Sequence, residues 1–324
     1  MAGARSGAAV AVVGAGMAGA TCARGLADAG LTVRVLDKGR SVGGRLAQRR
    51  VEAGVFDHGA QYLAARHPDF ADALGRWRDL GLVAPWPGVT SGSGAQTLVG
   101  VPAMSAPVED LLGGVPVRSG FRATALEHRA DGWTIRGEGD PEGPFAAVVL
   151  ALPAPQAVAL LAETDAARLL VPLGSVRMAP CWSAMAAFGA PAPAAAPALR
   201  FAGDLVWAAR NASKPGRASG ETWTLHAGPD WSRAWLERGP EEVAPALWAR
   251  FAGELGGELC APVWLAAHRW RYALVERPLG APFLWDPGLR LGLCGDWCLG
   301  PNVEAAWLSG RALAAALANA GMAG

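Results

Sequence analysis

Gly14, Gly16 and Gly19 stand in the spacing G-x-G-x-x-G, and Asp37 follows a little over twenty residues later. Those residue types in that order can hold a dinucleotide. Gly14 allows a tight turn, Gly16 lets a pyrophosphate approach the backbone, and Gly19 lets a helix pack closely on the preceding strand. The carboxylate of Asp37 can accept both hydroxyls of an adenosine ribose and would repel a 2′-phosphate.

The chemistry needs a strand before the turn and a helix after it, and the sequence supplies both. Ala9 to Val13 is a continuous apolar run, as expected of a buried parallel strand. A helix is predicted from Met17 to about Ala29, ended by Gly30, with the free amides of Met17, Ala18 and Gly19 aimed at the phosphates. Leu31 to Leu36 is a second strand that delivers Asp37 and Lys38. In a chain with 43 glycines the motif alone would say little; the strand, helix and acid around it give it meaning.

At 324 residues and a net charge of +1, the chain is too long for one small core and too neutral for a nucleic-acid surface. Apolar residues make up 52 % of it, yet no window reaches roughly 18 uninterrupted apolar positions, so a membrane span is not expected. Arg5 and the apolar stretch after it have the look of a secretory leader, but cleavage there would destroy the phosphate turn. Five cysteines fit a reducing compartment, so a cytoplasmic protein is expected. Cys294 and Cys298 are read as small core residues, and no metal site is expected.

A helical pattern through Phe70, Leu74, Trp77 and Leu80, then Pro85, Pro87 and a Ser/Gly run at 91–94, marks a first excursion into a second domain. A short helix (Met104 to Leu112), a strand near Val115–Val117, strand segments near Phe121 and Trp133, and the buried strand that Pro153 stops complete the middle of the first domain. From Pro155 to Trp285 the composition shifts to Trp and Arg, with an Ala/Pro linker at 189–197. Met178, Trp182, Met185 and Phe188 mix alternation with helical spacing and suit core packing. The last segment returns with a strand (Leu289 to Cys294), Gly295-Asp296, and a helix from Val303 to Leu317. Asp296 is placed to accept from a ribityl or phosphate-side hydroxyl, and Val303, Glu304 and Ala305 would point helix-start amides at a flavin pyrimidine edge.

Two further segments favour FAD. Gly43-Gly44-Arg45 resembles the G-G-R that wraps the FAD pyrophosphate in flavoproteins of the amine-oxidase superfamily, and Asp57-His58-Gly59-Ala60-Gln61-Tyr62 resembles the segment those proteins place beside the isoalloxazine. With Trp207 to Asn211, Ser213 to Arg217, Trp223 to Ala227, Trp231-Ser232, Ala267 to Ala273 and Val303 to Gly310, the chain resembles the bacterial renalases over nearly its whole length. It departs from them at Ala103, Asn302 and Ala305. The resemblance implies a Rossmann-type FAD-binding domain of the GR2, p-hydroxybenzoate hydroxylase-like topology (1–65, 98–155 and 286–324). An α+β substrate domain with a mixed or antiparallel sheet (66–97 and 156–285) would interleave with it.

The resemblance also implies non-covalent FAD and an oxidase that takes a hydride from 2- and 6-dihydro isomers of NAD(P)H and passes the electrons to O2. A neutral dihydropyridine needs no general base, only a pocket that holds its ring. Trp231, Trp270 and Tyr272 are candidate walls, and Gln61 or His226 a carboxamide partner. Arg210, Lys214 or Arg217 are candidate counter-charges for the substrate pyrophosphate. His268 joins the substrate set. Each aromatic serves equally as core, each histidine as hydrogen-bonded packing, and the cation cluster as a solvated loop. An amine oxidase of the same superfamily is the alternative, although Lys38 and Lys214 are the only lysines and Tyr62 and Tyr272 the only tyrosines. A non-catalytic flavin-binding protein is the second.

Overall fold

The computed structural model describes residues 9–92, 94–189, 196–218, 220–256 and 260–322. The N-terminal eight residues and most of the expected Ala/Pro linker, 190–195, lie outside them, as does residue 93 of the Ser/Gly run. The chain divides into two compact units: residues 1–44, 108–178 and 275–324 form the first, and 45–107 and 179–274 the second.

In the first unit, β1 (Val10–Val13) sits inside a six-stranded sheet. It pairs in parallel with β2 (Val33–Asp37) on one side and with Ala147–Leu150 on the other, Val10 opposite both Val33 and Ala147. The order is Leu284–Asp286, Leu291–Leu293, Ala147–Leu150, β1, β2, Val117–Ser119, with only the Leu284–Asp286 strand antiparallel to its neighbour. The continuous apolar runs follow from cover on both faces. The helix α1 (Met17–Asp28) packs with the last helix, Val303–Leu317. Ala11, Val13, Val148 and Leu150 pack with Trp133, Ile135 and Phe145 of a three-stranded antiparallel meander. The expected helices and strands of this unit all form, within a few residues of their predicted ends.

The second unit is built on a five-stranded sheet in the order Ala198–Arg200, Leu205–Arg210, Glu221–Ala227, Arg177–Phe188, Trp264–Arg277. The helices Pro229–Ala234 and Pro240–Glu254 contribute Trp231, Val243, Leu247 and Phe251 to a core with Trp182, Trp223, Leu225 and Ala267. The Met178 to Phe188 segment, whose spacing was mixed, is one strand; it is buried on both sides for most of its length, which erases the alternation. The fold is therefore a Rossmann-like α/β unit joined to an α+β unit with an antiparallel sheet.

The unit boundaries fall elsewhere than the composition suggested. The hairpin Gln48–Val51/Gly54–Asp57 belongs to the second unit because it lies on that unit's sheet, with Phe56 packed on Met185 and Ala187. The helices Ala154–Leu161 and Ala167–Leu173 bury Ala157, Leu160, Leu161 and Leu173 in the first unit's core. All five cysteines are free thiols, and Cys294 and Cys298 are buried. No helix among the described residues is long and apolar enough to cross a membrane.

Candidate functional site

The phosphate turn is built as its glycines require. Gly14 has φ +110°, and a Cβ there would lie 2.5 Å from the Ala151 carbonyl oxygen; a Cβ on Gly19 would lie 1.9 Å from the Gly14 oxygen. Gly16 is extended and faces open space, with nothing within 4 Å of a Cβ built on it. No side chain caps α1, so the amides of Met17, Ala18 and Gly19 at its positive end have no side-chain acceptor from the cap. Open space over one glycine and an uncapped helix start suit a pyrophosphate.

Asp37 does two jobs. Its Oδ2 accepts from Ala15 N and its Oδ1 from Gly39 N, both at 2.6 Å, so the carboxylate ties the turn to the end of β2. Each oxygen keeps a second lone pair for a ribose hydroxyl. Lys38 beside it is exposed. Gly43 N donates to Ala15 O at 2.9 Å, and Gly44 packs on the Gly16 Cα, so the Gly-Gly pair straps the turn.

At the other end of this unit, Gly295 N donates to Ser309 Oγ at 3.0 Å. The space over the Gly295 Cα is filled by the Trp297 indole, which explains the glycine without a ligand. Asp296 and Glu304 are buried. Asn302, one of the departures noted above, caps the last helix: its Oδ1 accepts from Ala305 N at 2.7 Å. The Ala305 amide is thus used internally, which corrects the expectation that all three helix-start amides face a ligand.

The second unit holds a buried ionic cluster. Asp57 Oδ2 receives Lys214 Nζ at 3.0 Å and Arg217 Nη2 at 2.8 Å, and Oδ1 receives Gln48 Nε2 at 3.0 Å. Burial pushes the Asp57 carboxyl up, but the two cations outweigh it and hold it at about 2. Lys214 Nζ also donates to Gln61 Oε1 at 2.9 Å, and Gln61 Nε2 donates to Asp57 O and Gly59 O. Both Nε2 hydrogens of the Gln61 amide are therefore spent on holding the Gly59–Tyr62 segment, which leaves only the second lone pair of Oε1 for a carboxamide partner. Ala60 N donates to Arg45 O, and a Cβ on Gly59 would sit 2.0 Å from that same oxygen. The Arg45 guanidinium donates to Ala273 O at 2.9 Å.

Alternation decides which expected residues meet. Trp223, Leu225 and Ala227 face the helices, as does Ala267. His226, His268, Trp270 and Tyr272 therefore stand on the opposite face. There the His268 and Trp270 rings lie 4.3 Å apart, the His58 ring lies 4.9 Å from His268, and Trp270 Nε1 donates to His58 O at 2.8 Å. Tyr62 reaches the Trp207 ring at 6.0 Å. Burial, reinforced for His58 by the other imidazoles, pushes His58 and His226 down to about 4, so both are neutral near pH 7.

Four candidates stand elsewhere or are already engaged, Arg217 among them, with its guanidinium on Asp57 Oδ2 at 2.8 Å. Trp231 lies on the helix side, stacked on Trp235 at 4.6 Å with the Arg250 guanidinium over it. Arg210 is paired with Glu221 at 2.6 Å. Lys214 is buried against Asp57, which takes the charge intended for a substrate pyrophosphate. Asp57 and His58 were read only as the start of the segment beside a flavin, and Trp207 and Asn211 only as part of a family-like segment; Ser183 carried no assignment, and its signal lies only in strand register.

Comparison with known proteins bears first on the class of fold. A sequence profile of the NAD(P)-binding Rossmann-like domain matches residues 12–77, the stretch that contains the phosphate turn and Asp37. The whole chain is then similar in fold to solved oxidase structures. The putative protoporphyrinogen oxidase of an Exiguobacterium species aligns at a TM-score of 0.75 with 12% identity, over 98% of this chain and 100% of that one. Cyclohexylamine oxidase from Brevibacterium oxydans aligns at 0.74 with 15% identity, over 96% and 99%. Putrescine oxidase bound to putrescine aligns at 0.68 with 15% identity, over 95% and 98%. At these identities the likeness is one of architecture.

Proposed function

We propose that the protein is an FAD-dependent oxidase that takes a hydride from the 2- and 6-dihydro isomers of NAD(P)H, releasing NAD(P)+. Gly14, Gly16, Met17, Ala18, Gly19, Asp37 and Gly44 would hold the pyrophosphate and ribose, a fit supported by the open space over Gly16 and the uncapped helix start. When bound, FAD supplies N5 as hydride acceptor and returns the electrons to O2 as hydrogen peroxide.

The observation that carries the substrate class is the character of the second unit's sheet face opposite the helices. His226, His268, Trp270 and Tyr272 put aromatic rings on one face, with His226 neutral near pH 7, suited to a neutral dihydropyridine ring. Loss of hydride from such a ring gives an aromatic cation directly, so the wall orients the ring and moves no proton. The fold shared with cyclohexylamine and putrescine oxidases favours an amine as the second reading. Against it, Lys214 is held by Asp57 and Gln61, and the Asp57 carboxylate is spent on two cations.

Anaerobic mixing with borohydride-reduced NAD, which contains both isomers, tests the proposal. Rapid bleaching of the flavin by that mixture, and none by pure 4-dihydro NADH or by amines, is expected. Bleaching by cyclohexylamine or putrescine alone would replace it with the amine reading, and a flavin inert to all of them would remove both.

A further inference from the structure

We propose that Ser183, Trp207 and His226 form a recognition row for a primary carboxamide, on the same sheet face as Trp270. The inference rests on the dihydronicotinamide reading above and assigns which residues hold the ring's substituent.

Ser183 Oγ, Trp207 Nε1 and His226 Nε2 are buried and have no hydrogen-bond partner. They are neighbours by register: His226 lies opposite Ser183 on one adjacent strand and opposite Trp207 on the other. Residues paired in this way share a face. A buried polar atom left unpaired costs about 1–3 kcal/mol, and folded proteins leave few. Three in one row mark a place where another polar group belongs. Two further orphans lie off the row: Trp231 Nε1 on the helix side, and His58 Nδ1 beyond the end of the Gly54–Asp57 strand.

The donor and acceptor pattern selects the group. His226 is hydrogen-bonded to the His58 backbone. With Nε2 unpartnered, we place the ring proton on Nδ1, so that Nε2 of the neutral ring presents a lone pair. Trp207 Nε1 is a donor only, and the Ser183 hydroxyl can do either. A carboxamide oxygen accepts from Trp207, and its amino group donates to His226. A carboxylate would set negative charge against the His226 lone pair, and a methyl ketone has no hydrogen to offer it. The Trp207 ring is fixed by Tyr62, by Trp86 at 6.2 Å and by the Arg200 guanidinium at 4.6 Å, so its N–H is directed before any ligand arrives.

The test titrates the flavin-loaded protein with NAD+, with nicotinic acid adenine dinucleotide and with 3-acetylpyridine adenine dinucleotide, following heat or flavin absorbance. The wild type should bind NAD+ at least tenfold more tightly than either analogue. Trp207→Phe, which keeps the ring and deletes the N–H, should weaken NAD+ about tenfold, the loss of one neutral hydrogen bond, whereas His226→Phe, which deletes the acceptor for the amino group, should remove the preference for NAD+ over the acetyl analogue. Ser183→Ala gives a second readout in which no ring is altered. Equal affinity for the three ligands, no binding of any, unchanged NAD+ affinity in Trp207→Phe, or an undiminished preference for NAD+ in His226→Phe would overturn the proposal and leave the row to ordered water. Carboxamide selectivity in a protein that dihydro isomers fail to bleach would sink the oxidase reading alone. Bleaching without selectivity would sink the carboxamide row alone.

Discussion

The Lys214 ammonium lies 3.0 Å from Asp57 Oδ2, and the two side chains are 0% and 1% exposed. With Arg217 on the same oxygen, two cations share one carboxylate in the interior of the second unit. Burial disfavours the charged form of Lys214, and Asp57 opposes that shift. Through Gln61, the same ammonium fixes the Gly59–Tyr62 segment. The cluster is a positioning device, and its charges are interdependent.

Removing Asp57 should therefore hurt more than removing Lys214. Asp57→Ala leaves two buried cations without a counter-ion, a loss of about 3–5 kcal/mol. Lys214→Met leaves the Asp57–Arg217 pair with its two short contacts and exchanges an ammonium for an apolar chain of similar length. Urea denaturation midpoints should fall strongly for the first and slightly for the second. The reverse order would mean that the cluster is not held by its carboxylate.

Stability should rise with pH between about 4 and 6.5. Burial holds His58 and His226 at about 4 in the folded chain against 6.5 when unfolded. In that window the unfolded chain binds protons the folded one does not, so folding gains up to about 1.4 kcal/mol per pH unit for each group. The Asp57 carboxyl, at about 2 against 3.8, adds stability present above 3.8 and lost as pH falls toward 2. Denaturation across this range should give a curve that climbs and then flattens above 6.5, with a shallower climb for His58→Phe. A flat curve would mean both imidazoles titrate normally.

Two glycines separate ligand space from packing space. At Gly16 a methyl group meets nothing within 4 Å and the backbone is extended, so Gly16→Ala should fold normally while losing flavin. At Gly59 the same methyl would lie 2.0 Å from Arg45 O, so Gly59→Ala must shift the backbone and should lower the melting temperature whether or not flavin is bound. Absorbance of the purified proteins and thermal unfolding with and without added FAD check both. A fully flavin-loaded Gly16→Ala would remove the proposed phosphate site.

The dinucleotide half of this architecture was legible because it is local: the strand, turn, helix and acid follow one another within residues 9–37, and period and glycine spacing specify them. The second unit was legible in composition and much less in geometry. His226, Trp270 and Tyr272 were singled out by type, and alternation along a strand keeps them on one face once strand boundaries are known. Trp231 was singled out for the same reasons, yet it sits on a short helix against the other face. Its type could not tell the two sides apart. The Asp57–Lys214 pair spans 157 residues and the Ser183–His226–Trp207 row depends on strand register, neither of which short-range spacing records. Asn302 illustrates the opposite case, where a departure from the family pattern has a local cause in helix capping.

The two tryptophans give the sharpest test of the sheet's two faces. Trp270 is half-buried, edge-on to His268, and anchored through its N–H to the His58 carbonyl. Trp231 is buried in the helix-side core, stacked on Trp235, with its N–H unpartnered. Trp270→Phe keeps an aromatic wall but frees it to rotate, so kcat/KM for dihydro isomers should fall about tenfold, the equivalent of about 1.4 kcal/mol of lost orientation, with stability little changed. Trp231→Phe removes packing and no hydrogen bond, so it should cost about 1 kcal/mol of stability and leave kcat/KM within twofold. Steady-state kinetics and denaturation of the same two preparations decide the matter. A kinetic loss at Trp231 equal to that at Trp270 would mean that the substrate does not use the face that carries His226.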